Sequence, residues 1–279
     1  MTVLASDLDR TLVWSHRRLV APGAAPMTAD EVADLVCVEE LQGEPWAFVT
    51  RRAWEAIEAL AASGLLVPVT TRTPAQALRL RLPRFRHLLC LNGGVLLVDG
   101  EPDPEHAALT AAAVAQVTPL AAVLAHRTGP DGLAQAPHVR GVREADGTFL
   151  YLLLTGDPVP ADWAAGLAAL ADDVDWTLAL EQTKAYLVPR PLTKQAGVDR
   201  LLARTGGRLV AAAGDSVLDR PMLEAADHAL VPRHSYLADR DWSGALTATS
   251  GVAAGEEIAR WFLALGGLDE QPVPALAGR

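Results

Sequence analysis

The length, composition and charge of the chain exclude several classes of protein. At 279 residues it suits two modest domains, and with 50% hydrophobic and 21% charged residues it can bury a sizeable core rather than remain disordered. Its net charge of -10 argues against binding to nucleic acid or an anionic membrane through a broad basic surface. No apolar run approaches the roughly 20 residues that a membrane span requires.

The cysteines and the first residues bear on the compartment. Cys37 and Cys90 are too few for a disulfide framework, and neither has the spacing of a zinc ligand. The opening Met-Thr-Val reaches Asp7 without the basic region or cleavage site of a signal peptide. We therefore expect a cytoplasmic protein with reduced thiols.

The first third of the chain alternates between predicted strands and helices. The run 3–6 predicts a buried strand, 39–49 a hairpin that turns at Gly43, and 51–62 a helix that ends at Gly64. Further strands are predicted at 65–69 and 88–91, with a helix that begins near Pro74 between them. This alternation predicts a parallel sheet with helical crossovers.

The middle of the chain has a different pattern, after which the first pattern resumes. The predicted elements are an alanine-rich helix at 107–125, strands at 148–155, 176–180 and 185–188, and a helix at 162–171. Helices at 193–205, 221–226 and 255–265 then alternate with strands at 209–213 and 229–231. We therefore expect a core of residues 1–94 and 188–279 that is interrupted by a second domain, 95–187.

Acidic pairs follow two of the predicted strands. Asp7 and Asp9 follow the first strand, and Asp215 and Asp219 follow the strand at 209–213. Ligands of a parallel sheet bind at the carboxyl ends of its strands, and clustered carboxylates are tolerated where a metal such as Mg²⁺ neutralises them. Turn or helix-capping roles are the alternatives for each pair taken alone.

A hydroxyl and an ammonium group complete the set. Thr70 and Thr71 end a third strand and offer hydroxyl and backbone N–H donors to an anion. Lys194 precedes a helix and is one of only two lysines, the other being Lys184, in a chain that otherwise uses arginine. Carboxylates, a metal, hydroxyls and one ammonium together suit a phosphate monoester.

Taken in chain order, these residues resemble the four motifs of the haloacid dehalogenase superfamily of aspartate-nucleophile phosphatases. Asp7-Leu8-Asp9-Arg10-Thr11 matches DxDxT, Thr70 the second motif, Lys194 the third, and Gly214-Asp215-Ser216 with Asp219 the GDSxxD motif. The insertion after the second motif resembles the type-two cap of the sugar-phosphate branch. The resemblance implies a Rossmann-like three-layer α/β core with an inserted, smaller α+β cap.

The resemblance also implies a chemistry and a role for each residue. Asp7 would attack phosphorus to give an aspartyl-phosphate, and Asp9 would act as acid and then as base. Thr70 and Lys194 would bind the phosphoryl oxygens.

The same resemblance implies a metal and a substrate. Mg²⁺ would be held by Asp7, Asp215 and the main-chain carbonyl of Asp9, with Asp219 as a further or outer ligand. The substrate would be a small phosphorylated metabolite. Its candidate contacts are Thr71, Arg72, Asn92, Glu181 and Lys184, with Arg140 and Arg143 as further cap candidates.

Two features depart from the family pattern, and two other functions stay open. The second motif is Thr70-Thr71-Arg72 where many relatives have Thr-Gly-Arg, and the segment 13–50 is long for a first connection. The same motifs would serve a phosphomutase, although mutases of this superfamily mostly carry their caps between the first two motifs. A catalytically retired binding module is the third hypothesis, against which the intact motif residues argue.

Overall fold

The computed structural model describes residues 1–125, 135–156, 159–240 and 242–268. The chain divides into two compact units, one formed by Met1–Asp103 with Lys194–Arg279 and the other by Pro104–Thr193. Within the described ranges, no helix combines the length and the apolar character that a membrane span needs.

The first unit begins with a series of short strands and three helices. These elements are β1 (Thr2–Ser6), β2 (Trp14–Ser15), α1 (Ala29–Ala33), β3 (Leu35–Leu41), β4 (Glu44–Thr50), α2 (Arg51–Ser63), β5 (Leu66–Pro68), α3 (Pro74–Leu78), β6 (His87–Cys90), β7 (Val95–Val98) and β8 (Glu101–Pro102).

The second unit follows, and the chain then returns to the first. The second unit contains α4 (Pro104–Val114), α5 (Leu120–Ala125), β9 (Val139–Ala145), β10 (Phe149–Leu154), α6 (Ala161–Asp173), β11 (Trp176–Leu180) and β12 (Lys184–Pro189). The first unit is completed by α7 (Lys194–Thr205), β13 (Arg208–Ala213), α8 (Arg220–Ala225), β14 (His228–Arg233), β15 (Ala245–Ser250) and α9 (Val252–Leu265).

A five-stranded parallel sheet forms the centre of the first unit, in the order β15-β14-β13-β1-β5. Both of its faces are covered by helices. Because side chains alternate along a strand, neighbouring residues of β1 join different cores. On β1, Leu4 joins the core on the α2 and α9 side, whereas Val3 and Ala5 join the core on the α7 and α8 side. The predicted three-layer α/β fold is confirmed.

The segment 13–50 contains a small antiparallel sheet in the order β2-β4-β3, with α1 between β2 and β3 along the chain. Gln42 and Gly43 both have positive φ, 55° and 84°, as a two-residue hairpin turn requires. The hairpin predicted from the sequence is therefore confirmed, with its turn at Gly43.

Two predicted elements differ from the structure. The strand β6 meets the parallel sheet at a bridge between Leu89 and Val69, and its ladder partner is the antiparallel β7. The chain reverses between β6 and β7 at Asn92 and Gly93, both with positive φ. The single helix predicted at 107–125 is two helices, α4 and α5, since Pro119 lacks the N–H that a continuous helix needs.

The second unit is built on a four-stranded antiparallel sheet in the order β11-β12-β10-β9. Leu150, Leu152 and Leu154 alternate along β10 and are buried, while Tyr151 and Leu153 between them are partly exposed. The sheet therefore has one packed face and one more open face.

Helix α7 packs tightly at Gly197, and this contact gives a test of the fold. A Cβ at Gly197 would lie 2.6 Å from the Gly93 Cα and 2.8 Å from its carbonyl oxygen. At Gly166, inside helix α6, a Cβ would meet nothing within 4 Å.

We predict that Gly197→Ala lowers the free energy of unfolding by about 1–3 kcal/mol, because backbone must move to admit the methyl group. Gly166→Ala is the control and should gain about 0.5–1 kcal/mol from helix propensity. Urea denaturation followed by circular dichroism measures both. Stabilisation by Gly197→Ala would contradict the close packing of α7 on the Gly93 loop.

Candidate active site

Three strand ends meet at one edge of the parallel sheet. Asp7 follows β1, and its backbone N–H donates to the carbonyl of Ala213, the last residue of β13, at 2.9 Å. Val69, which follows β5, donates in the same way to Ser6 at 2.7 Å. The parallel register thus brings the segments that begin at Asp7, Thr70 and Gly214 to the same edge.

A buried ammonium group joins two of the acids. Lys194 is the first residue of α7 and is only 1% exposed. Its Nζ donates to Asp7 Oδ1 and, at 2.5 Å, to Asp219 Oδ1. A cation is unfavourable at the positive N-terminal end of a helix, so these carboxylates stabilise Lys194 where its own helix does not.

Asp219 also holds the loop that carries Asp215. Its Oδ2 accepts hydrogen bonds from the backbone N–H groups of Asp215 at 3.1 Å and Ser216 at 2.9 Å. A Cβ at Gly214 would lie 2.4 Å from the Asp219 side chain. Glycine is therefore required at this position for the Asp219 carboxylate to pack against the loop. The alternative role of Asp219, as a side-chain cap of α8, is not observed.

The cluster carries more negative than positive charge and suits a divalent cation. Oxygens of Asp7, Asp215 and Asp219 all lie within 4.8 Å of one another, and the three residues are buried. Lys194 supplies one positive charge for two of them, and Arg10 approaches Asp215 at 3.4 Å. Buried oxygen ligands of this kind fit a hard ion such as Mg²⁺.

The titration of the cluster reflects the same imbalance. Desolvation by burial raises the pKa of the Asp7 carboxyl from 3.8 to about 7; the attraction of Lys194 opposes this shift, and repulsion by Asp219 and Asp9 adds to it. For Lys194, burial lowers the pKa, but Asp219 and Asp7 outweigh it, so the net shift is upward. Lys194 therefore stays protonated.

The Asp9 side chain is engaged elsewhere. Arg72 donates from Nε to Asp9 Oδ2 and from Nη2 to Asp9 Oδ1, both at 2.7 Å. The alternation of side chains along an extended strand suggests that Asp7 and Asp9 share a metal through their carboxylates, but the chain leaves the strand at Asp7 and the Asp9 carboxylate meets Arg72. Both carboxylate oxygens of Asp9 thus accept hydrogen bonds from Arg72, and Asp9 is not one of the three acids whose oxygens cluster within 4.8 Å.

The second-motif loop is held by backbone contacts. Thr70 is fully buried; its N–H donates to Leu89 at 2.8 Å, and its carbonyl accepts from the Asn92 N–H at 2.9 Å. Asn92 is buried in a left-handed conformation, with φ of 58°. Thr71, between Thr70 and Arg72, is partly exposed.

The sequence assigned no role at this site to three charged residues, Glu39, Arg79 and Arg10. Glu39 is 1% exposed and accepts from both Arg72 and Arg79. Arg10 stands in the first motif with φ of 64°, beside Asp215. A glutamate inside the apolar run 36–41 was the only signal for Glu39, and nothing in the sequence paired it with residues 33 to 40 positions away.

The cap candidates lie in the second unit and are described there by themselves. Lys184 donates to the Tyr186 hydroxyl at 3.1 Å and stands 5.4 Å from the centre of the Tyr151 ring. Glu181 is partly exposed, in the turn before β12. Arg140 donates to the Leu154 carbonyl within its own sheet.

Comparisons with known proteins place the fold. No family model and no curated protein sequence matches the chain. Among solved structures, the sucrose-phosphatase of a Synechocystis species, solved with sucrose and phosphate, is 14% identical with a TM-score of 0.62, over 91% of this chain and 94% of that one.

Two further solved structures are similar over nearly the whole chain. A haloacid dehalogenase-like hydrolase from B. subtilis is 15% identical with a TM-score of 0.53, over 93% and 99% of the two chains. A subclass IIB sugar phosphatase of the haloacid dehalogenase superfamily is 16% identical with a TM-score of 0.51, over 96% and 100%. The fold expected from the motif resemblance is therefore confirmed.

The raised pKa of Asp7 predicts how stability depends on pH when divalent metal is removed by EDTA. In the native state the Asp7 carboxyl keeps its proton up to about pH 7, whereas in the unfolded chain it loses the proton near the ordinary pKa of 3.8. The contribution of Asp7 to the free energy of unfolding therefore falls as the pH rises between these values. Asp7→Asn removes this contribution.

Melting temperatures of both proteins in EDTA between pH 4 and pH 8 test this. We expect Asp7→Asn to gain stability relative to the parent chain as the pH rises towards 7, and the difference to level off above it. A difference that does not change with pH would show that Lys194 offsets the burial of Asp7.

Proposed function

We propose that this protein is a Mg²⁺-dependent phosphatase that hydrolyses a small phosphate monoester, with a sugar phosphate as the leading substrate class. The observation that carries the proposal is the buried cluster of Asp7, Lys194 and Asp219 beside Asp215, at the strand ends where ligands of such sheets bind. Two of the similar structures are named as sugar phosphatases, which supports the substrate class.

In the first step, a carboxylate oxygen of Asp7 attacks phosphorus and the bond between phosphorus and the ester oxygen breaks. An aspartyl-phosphate forms on Asp7, and the departing alkoxide takes a proton from the Asp9 carboxyl. The Asp9 side chain is 47% exposed, so an ester oxygen can reach it while Arg72 fixes its orientation.

In the second step, a water molecule attacks the phosphorus of the aspartyl-phosphate and gives a proton to the Asp9 carboxylate, while the bond between phosphorus and the Asp7 oxygen breaks. Phosphate leaves, and both aspartates return to their starting states. Lys194 orients Asp7 through its Oδ1 and offsets the charge that collects on the phosphoryl oxygens, together with the loop of Thr70.

The ion would be held by Asp7, Asp215 and the Asp9 main chain. We assign Asp219 to an outer role, because its oxygens already accept from Lys194, Asp215 and Ser216. When bound, Mg²⁺ supplies positive charge that offsets the carboxylates and the phosphoryl group.

The first test is a panel of phosphate esters that includes sugar phosphates, phosphoglycerates, nucleotides and 4-nitrophenyl phosphate. We predict Mg²⁺-dependent release of phosphate by the parent chain and a fall of about 10³-fold or more in Asp7→Asn, which loses the attacking charge. Beryllium fluoride, which imitates an acyl phosphate, should protect only the parent chain against thermal unfolding.

Failure of the parent chain to turn over every ester would contradict the proposal. Protection of Asp7→Asn by beryllium fluoride would instead place the nucleophile at another residue.

The second test separates the metal from the lysine. Asp215→Ala should lose activity that high Mg²⁺ partly restores, because one anionic ligand is missing from a hard-ion site. Lys194→Ala should not be rescued, since added Mg²⁺ does not occupy the position of the ammonium group.

Lys194→Arg serves as the matched control for charge. A planar guanidinium does not fit the compact position between Asp7 and Asp219, so we expect this variant to stay inactive at saturating Mg²⁺. Full activity of Lys194→Arg would mean that only the charge matters. Rescue of Lys194→Ala by Mg²⁺ would contradict the division of roles.

A further inference from the structure

Glu39 lies on β3, and its burial needs an explanation. A carboxylate that is 1% exposed costs several kcal/mol unless it is paired and hydrogen-bonded. Glu39 is paired twice, with Arg72 through both of its oxygens at 2.9 Å and with Arg79 Nη2 at 2.7 Å. A buried ion pair of this kind is weak support for stability, because apolar side chains of similar volume often serve as well.

The backbone of β3 is irregular at this position. Cys37 is opposite Phe48 and Glu39 is opposite Ala47, so two steps on β3 correspond to one on β4. The register shifts again between Glu39 and Glu40. Such bulges re-aim a side chain, and here the consecutive residues Val38 and Glu39 are both buried.

Arg72 links Glu39 to the reacting end of the site. One edge of its guanidinium, Nε and Nη2, holds both oxygens of Asp9, while Nη1 and Nη2 hold both oxygens of Glu39. Nη1 also donates to the Gln76 carbonyl at 3.2 Å. A planar guanidinium held along two edges has no freedom to rotate, and the carboxylate plane of Asp9 is fixed with it.

We propose that Glu39 is a positioning residue, supplied by the hairpin of β3 and β4, which locks Arg72 so that Asp9 is held at the angle needed to protonate the leaving oxygen. The proposal rests on the proposed function, in which Asp9 is the acid and base. It also gives the segment 13–50 a role in catalysis, because Glu39 comes from this segment.

The loss expected from removing Glu39 depends on the leaving group. A phenoxide with a strongly withdrawing group leaves without much help, whereas a more basic one needs the proton from Asp9. Glu39→Gln keeps the size of the side chain but replaces one acceptor oxygen with an NH₂ group, so one of the two hydrogen bonds from Arg72 is lost and the lock is weakened.

The experiment measures kcat and KM of the full-length protein with 4-nitrophenyl phosphate and phenyl phosphate at saturating Mg²⁺. For Glu39→Gln we expect kcat/KM, which reports the step that releases the leaving group, to fall on the order of 10-fold with phenyl phosphate and about 2-fold with 4-nitrophenyl phosphate. In an Asp9→Asn background, Glu39→Gln should cause no further loss, because Glu39 acts only through Asp9.

Glu40→Gln is the matched control. Glu40 is the next residue of the same strand and pairs with Arg81 at 2.8 Å on the surface, away from Asp9. The Glu40→Gln variant should leave kcat/KM unchanged with both esters. If Glu39→Gln does not fold, Glu39→Asp keeps the buried charge but is one methylene shorter, and the same dependence on the leaving group is expected.

Equal losses of kcat/KM on both esters, or a further loss of the same size in the Asp9→Asn background, would overturn the proposal and leave Glu39 with a structural role. If the parent chain hydrolyses neither ester nor any other in the panel, the proposed function fails first, and the role of Glu39 in catalysis fails with it. The two failures are distinguished because a failure of the role of Glu39 is seen only in the variants, whereas a failure of the proposed function is seen in the parent chain.

Discussion

The buried ammonium group of Lys194 is the interaction on which the site depends. Without it, Asp7 and Asp219 would face each other as desolvated anions, which costs several kcal/mol per ion. With it, Asp7 is oriented by one oxygen and Asp219 is free to hold the 215–216 loop with its other oxygen. The position of Asp215 thus depends on Lys194 through Asp219.

A second charge network stands beside the first and is organised in the same way. In both, a cation bridges an acid of the first motif and an acid from a distant part of the chain: Lys194 joins Asp7 to Asp219, and Arg72 joins Asp9 to Glu39. Each network fixes one aspartate. The two acids of one short motif are thereby given different surroundings, which is how a fold assigns different chemistry to identical side chains.

The sequence predicted the elements that local rules determine. The hairpin at Gly43, the helix that ends at Gly64 and the strands before Asp7 and Asp215 follow from turn residues and apolar runs. Lys194 was found because lysine is rare in this chain. The Arg72 network was not found, because it depends on a strand irregularity that brings Glu39 to Arg72 across 33 positions, and no periodicity encodes such a contact.

The chain order of the central sheet affects how the protein is made. Strand β1 is synthesised first, yet its neighbour β13 and the counter-ion of Asp7 follow only after the whole second unit has been translated. A nascent chain that ends before Lys194 therefore carries an unfinished sheet edge and an acid without its partner, and pairings this distant in sequence form slowly. Closure of β13 against β1 is then the step that joins the two parts of the sheet and brings Asp215 to Asp7, so a molecule interrupted before Lys194 has neither.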